Sequence, residues 1–229
     1  MNLQRIHDLT EQYARWVRRD RRFELGALWE TQAQYQQHWS LEVPLAGLPD
    51  MYDRALQNYT DRSHWKSDNY YPKEMMLRFA KAYPDMVEAT FKDLYNERRE
   101  IDGRLDRFLY HCDQMLAQYK EDHPHRTDNN HYHTYHTASL YLAMRYPMLY
   151  SVYEGRLFEQ VLAAVGAKPV APGIDDVPRY FKVCRTLYRF LAKHDPLLKA
   201  HARRLQPDKH YTEESLLLVY DFARWVARS

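Results

Sequence analysis

Apolar residues recur every three or four positions along most of the chain, which is the spacing of amphipathic helices. The first such segment carries Leu3, Ile6, Tyr13 and Val17 on one stripe. Only 6 glycines occur among 229 residues, whereas sheets with tight hairpins need turn glycines. The pattern predicts an all-α protein, an irregular helical bundle of about eight to ten helices.

Prolines, glycines and polar runs divide this pattern into elements. Apolar positions keep helical spacing from Pro84 to Tyr119, which predicts one long central helix of more than 30 residues with a bend at Gly103. The other helices expected after the first lie at about 24–39, 72–82, 134–145, 154–165, 177–192, 196–205 and 213–227.

The pattern also predicts three parts of the chain. Residues 44–71 contain prolines and polar residues with only a short helix-like stretch, which is typical of a linker or lid. The sequence therefore divides into an N-terminal helical piece (1–43), this linker or lid (44–71) and a main helical domain (72–229).

Composition sets the broad class of the protein. Apolar residues make up 45% and charged residues 28% of the chain, and no uninterrupted apolar run could span a bilayer. The N-terminal segment has five arginines from Arg15 to Arg22, including Arg21, and it does not have the apolar core of a signal peptide. We expect a cytoplasmic protein without a membrane partner, in which Cys112 and Cys184 are small buried hydrophobes.

The formal net charge of +2 is too small to indicate nucleic acid, but one segment is strongly basic. Four cations spaced by three, four and four residues share one face of the helix predicted at 177–192; they are Lys182, Arg185, Arg189 and Lys193. Arg203 and Arg204 continue this segment. A solvated helix face and a phosphate-contacting surface both explain the pattern, and the second makes these six residues candidate DNA contacts.

Tyrosine is abundant, with 20 residues, and six of them crowd residues 132–153. Aromatic stripes at helical spacing form cores, and exposed rings stack on nucleobases. Tyr150 and Tyr153 are the candidates for base stacking.

Five of the 12 histidines fall within residues 123–136: His123, His125, His131, His133 and His136. Imidazoles bind transition metals, but this window holds no cysteine and no His-Glu-x-x-His pattern. A solvated loop is the alternative explanation. Arg126 and His131 also have the Arg-to-His spacing of HEPN ribonucleases, as do several other pairs in the chain. We predict no metal ligand here, and a HEPN-like or metal-dependent nuclease is the weakest hypothesis.

Motifs for nucleotide binding and for serine hydrolases are absent from the sequence. The chain therefore predicts no catalytic residue and no cofactor, which favours a binding protein over an enzyme.

Aromatic and proline landmarks are spread over residues 74 to 226. They are the runs Met75 to Pro84, Phe91 to Tyr95, Arg104 to Phe108, Thr137 to Pro147 and Tyr150 to Tyr153, together with Asp221-Phe222. These landmarks resemble the helical region that precedes the ATPase core in McrB-like AAA+ modification-dependent restriction proteins. The resemblance implies DNA recognition by this region, with an ATPase core and a nuclease subunit as partners. The nucleotide-binding loop of that family is missing here.

The sequence therefore predicts a non-enzymatic DNA-binding or target-sensing module of a McrB-like antiviral restriction system. The alternative is a helical protein-interaction module that docks an ATPase, a nuclease or a phage protein through its aromatic surfaces.

Overall fold

Amphipathic helices account for most of the computed structural model, which describes residues 1–20 and 22–229; Arg21 lies outside the described residues. These residues form eleven α-helices, a 3-10 helix at Leu45–Gly47 and one isolated β-bridge between Ser67 and Tyr70. The α-helices are α1 (Leu3–Arg19), α2 (Gly26–His38), α3 (Leu48–Ala55), α4 (Pro72–Ala82), α5 (Pro84–Leu94), α6 (Ile101–Asp122), α7 (Tyr135–Arg145), α8 (Gly155–Ala164), α9 (Val177–Leu191), α10 (Asp195–Ala202) and α11 (Leu217–Val226). The all-α class is confirmed, and the number of helices is slightly above the prediction.

Local sequence explains where several helices begin. The Asn2 side chain accepts a hydrogen bond from the backbone N–H of Arg5, and the Asp176 side chain does the same for Arg179. Each bond satisfies an N–H that has no partner within its helix. Proline occupies the first turn of α3, α4, α5, α9 and α10, where its missing N–H has no cost.

The single long helix predicted from Pro84 is wrong, because the chain forms α5 and α6 with a break between Leu94 and Ile101. The Asn96 side chain accepts a hydrogen bond from the backbone of Arg98 and so competes with helical pairing. The buried Arg104 then donates to the freed carbonyl of Leu94 at 3.0 Å. The longest helix is α6, with 22 residues.

The last helix also begins later than predicted. Residues 213–216 lie outside α11, and the buried Ser215 hydroxyl accepts from the N–H of Leu217 at 3.2 Å. A serine at this position satisfies one of the first N–H groups of the helix.

The segment 44–71 is packed into the same core as its neighbours. The Trp65 ring stacks on Tyr141 of α7 with ring centroids 5.4 Å apart, and the Tyr52 hydroxyl lies 2.6 Å from the Tyr141 hydroxyl. Trp65 and Tyr52 belong, like Tyr141, to a buried cluster that extends over helices α1 to α11.

Helix α7 lies at the centre of this cluster, since residues 137–144 are all buried. Among the described helices, none has both the length and the apolar character that crossing a bilayer requires.

Candidate nucleic-acid interface and histidine cluster

One side of helix α9 is buried in the core, so the predicted cations lie on its outer side. Tyr180, Cys184, Leu187 and Leu191 are all almost fully buried on the core side, and burial of such a stripe fixes the rotation of the helix about its axis. We give the name α9 stripe to four cations: Lys182, Arg185 and Arg189 on the outer side of α9, and Lys193 in the turn that directly follows the helix.

The members of the α9 stripe form no ion pair in the described part of the chain, whereas His194 and Arg204, which follow them in the sequence, are both paired with carboxylates. Lys182, Arg189 and Lys193 are exposed. Arg185 is partly buried, and its guanidinium donates to the carbonyl of Leu149 at 2.9 Å. The stripe is thus a row of positive charge that carboxylates do not neutralise.

Arg203 and Arg204 are neighbours in sequence but differ in environment. Arg203 is exposed and lines an open depression of about 530 Å³ together with Arg18 of α1. The Arg204 side chain is only 5% exposed. Arg203 is therefore more accessible to a ligand than Arg204, which lines the same depression but is held by carboxylates.

Arg204 is the centre of a buried network between the N-terminal and C-terminal parts of the chain. It donates to Asp20 at 3.0 Å and to Asp221 at 2.6 Å, and its guanidinium lies 4.4 Å from the Phe23 ring centroid. The Tyr13 hydroxyl donates to the same Asp221 carboxylate at 2.7 Å. Burial and the Asp221 charge raise the pKa of Tyr13 well above its usual range. This arrangement indicates a structural role for Arg204.

His201 lies at the edge of this network and makes folding sensitive to pH. It packs against Phe23 and Trp29, and burial together with the Arg204 charge lowers the pKa of His201 to about 3. In the unfolded chain the pKa of this histidine is about 6.5. As the pH falls, the imidazole is therefore protonated in the unfolded chain before it is protonated in the folded protein. The stability contributed by neutral His201 is therefore complete above about pH 6.5 and is lost between about pH 6.5 and about pH 3.

We expect His201→Gln to reduce the acid sensitivity of folding. One such group steepens the pH dependence of the unfolding free energy by at most about 1.4 kcal/mol per pH unit. Urea unfolding at about pH 7 and about pH 5 measures this slope. The control His125→Gln changes an exposed loop residue and should keep the wild-type slope. Equal slopes for wild type and His201→Gln would contradict this assignment.

Tyr150 and Tyr153, the candidates for base stacking, are buried beneath α9. The Tyr150 hydroxyl donates to Glu97 at 2.7 Å and accepts from Arg104, and its ring meets Phe181 edge-on. The Tyr153 hydroxyl donates to Asp175 at 2.7 Å. Both rings are less than 10% exposed, so neither offers a free face to a base in this conformation.

The five clustered histidines do not converge as one group. His125 is exposed, His123 stacks on Tyr119, and a ring nitrogen of His136 lies 3.1 Å from the carbonyl oxygen of Tyr153. His131 and His133 are buried side by side, with ring centroids 5.5 Å apart.

A third residue joins this pair: the buried Cys112 of α6. Its Sγ and one ring nitrogen of each of these two histidines all lie within 4.8 Å of one another. No local spacing signals this group, because the cysteine belongs to the preceding helix and its apolar pattern is that of a core residue. The apolar periodicity of α6 was the one usable signal, since it directs Cys112 inward.

The Arg126 and His131 pair, considered for a HEPN-like nuclease, is divided between two environments. Arg126 is exposed, whereas His131 is buried with its Nε2 3.0 Å from an Asp113 carboxylate oxygen.

Comparisons of the chain with protein-family models, curated proteins and solved structures find no match.

Proposed function

We propose that the protein is a non-enzymatic DNA-binding module that contacts the phosphate backbone through the α9 stripe, with Arg203 as an additional contact. The proposal rests on a row of four cations, three of them exposed, along α9 and the turn that follows it, none of which has a carboxylate partner in the described residues. Such cations supply the affinity of a DNA complex and set its orientation.

The length of the α9 stripe suits a duplex. A helix rises about 1.5 Å per residue, so the helical part of the stripe, from Lys182 to Arg189, extends over about 10 Å. One strand of B-DNA advances about 3.4 Å per nucleotide, and this part of the stripe therefore covers about three base-pair steps, with Lys193 just beyond it. Tyr150 and Tyr153 are buried in this conformation, so the proposal rests on the cations and not on base stacking.

The biological setting follows from the resemblance to McrB-like restriction proteins. In that setting the module senses a DNA target, and an AAA+ ATPase core and a nuclease subunit supply motion and cleavage. The part of the chain that binds the target is then the α9 surface.

Duplex binding tests the proposal directly. The full chain is mixed with a labelled duplex of about 20 base pairs at about 50 mM salt, and fluorescence anisotropy reports the complex. We expect saturable binding that an excess of unlabelled duplex removes. Absence of binding at this salt concentration would contradict the proposal.

A protein-docking function is the second candidate, and one observation favours it. Met148 and Leu149 are about 40% exposed, and the Leu149 carbonyl accepts from Arg185 of the stripe. Exposed apolar residues beside a charged surface are typical of protein interfaces. Two results together would support this function. The protein would fail to bind duplex DNA, and the Leu149→Ser variant would fail to capture a protein partner that the wild type captures.

A further inference from the structure

Cys112, His131 and His133 reach one another from two separate parts of the chain. Cys112 lies in the middle of α6, and the two histidines lie in the segment that leads into α7. Their mutual distances of at most 4.8 Å place a thiol and two imidazoles in one small buried volume. These are the ligand types that bind Zn²⁺ in proteins.

The hydrogen bonds of His133 leave one nitrogen without a partner. Its Nε2 lies 3.2 Å from the Tyr141 hydroxyl, whereas its Nδ1 is buried and has no hydrogen-bond partner. Buried polar atoms are nearly always paired, so this nitrogen requires an explanation. When Nε2 carries the proton and donates to Tyr141, Nδ1 presents a free lone pair of the kind that a metal ion accepts.

The surroundings of His131 are also those of a metal ligand. Its Nε2 lies 3.0 Å from an Asp113 carboxylate oxygen, and metal-binding histidines usually donate their other ring N–H to such a group. Its Nδ1 accepts from the backbone N–H of His133 at 2.9 Å. Coordination through Nδ1 exchanges that single hydrogen bond for a metal bond.

We propose that Cys112, His131 and His133 form a buried Zn²⁺ site that fastens the segment before α7 to α6. Tetrahedral bonds of about 2.0–2.3 Å place ligand atoms about 3.3–3.8 Å apart, so the three atoms need to approach one another by at most about 1.5 Å when the ion binds. The thiol releases its proton on binding. The fourth position of the ion is left to a non-protein ligand. This site is independent of DNA binding by the α9 stripe.

Cobalt substitution tests the site through its spectrum. The full chain is treated with a chelator, freed of it and titrated with Co²⁺, which gives a near-ultraviolet charge-transfer band only when a thiolate coordinates it. We expect the band to saturate at one equivalent and to disappear when one equivalent of Zn²⁺ is added. No thiolate band in the wild-type chain would overturn the proposal.

The second buried cysteine provides a matched control. Cys184→Ala leaves Cys112 as the sole thiol of the chain and should keep the band, whereas Cys112→Ala should lose it. A band that survives in Cys112→Ala, or one that vanishes in folded Cys184→Ala, would overturn the assignment. This pair stays decisive even when Cys112→Ala fails to fold, because the Cys184→Ala spectrum alone reports on Cys112.

Asp113→Asn tests the support of His131 without changing a ligand. Asp113 is exposed, so the variant should fold normally. We expect the band at saturation but an affinity for Zn²⁺ about 10- to 100-fold lower, which is typical of losing such a carboxylate. Unchanged affinity would contradict coordination through Nδ1 of His131.

Discussion

Replacing the α9 stripe with alanine should weaken duplex binding at about 100 mM salt by about three orders of magnitude. The variant combines Lys182→Ala, Arg185→Ala, Arg189→Ala and Lys193→Ala. Each phosphate contact adds about 0.9 to the slope of log affinity against log salt, so four contacts account for about 3.6. The loss should be similar for duplexes of different sequence, because phosphate contacts carry no base information. Anisotropy titrations of the wild type and the variant measure both quantities.

A second variant separates the stripe from the net charge. Arg54→Ala, Lys66→Ala, Lys120→Ala and Arg126→Ala also remove two lysines and two arginines, all of them exposed and outside α1, α9 and α10. Both variants change the formal net charge from +2 to −2, since four positive charges are lost (2 − 4 = −2). We expect the control to bind within about threefold of wild type. Equal losses in the two variants would show that binding depends on total charge and not on α9.

Arg204→Met should destabilise the protein by about 3–5 kcal/mol, the range for removing one partner of a buried ion pair. The substitution leaves Asp20 and Asp221 buried without their cation, while Tyr13 still donates to Asp221. Methionine keeps much of the apolar volume, so the loss reports on charge more than on packing. Urea unfolding at neutral pH measures the change.

The neighbouring arginine is the matched control. Arg203→Met changes an exposed residue without a carboxylate partner in the described chain and should alter the free energy of unfolding by less than about 0.5 kcal/mol. At the same time, Arg203→Met should weaken DNA binding. A loss below about 1 kcal/mol for Arg204→Met would contradict the structural role assigned to the network.

Periodicity and capping residues predicted the helices well where local rules decide the outcome. Helix α9 was expected at about residues 177–192 and is found at Val177–Leu191, with Asp176 as its cap and Pro178 in its first turn. The cap, the proline and the apolar stripe all favour the same boundaries.

Features that depend on contacts distant in sequence could not be predicted. The break between α5 and α6 is completed by Arg104, which satisfies the Leu94 carbonyl, and apolar spacing continues across that break. The spacing of charged residues could not distinguish the exposed Arg203 from the paired Arg204, because the partner Asp20 comes from the other end of the chain. Cys112 likewise meets its two histidines only in the fold.

The salt dependence of wild-type duplex binding reports how many phosphates the protein contacts. With the α9 stripe and Arg203 as four to five phosphate contacts, the slope of log affinity against log salt should be about −4. Affinity should then fall by about 150- to 500-fold between about 50 and about 200 mM salt. A slope near zero, or no binding at the lowest salt, would contradict a phosphate-contacting surface on α9.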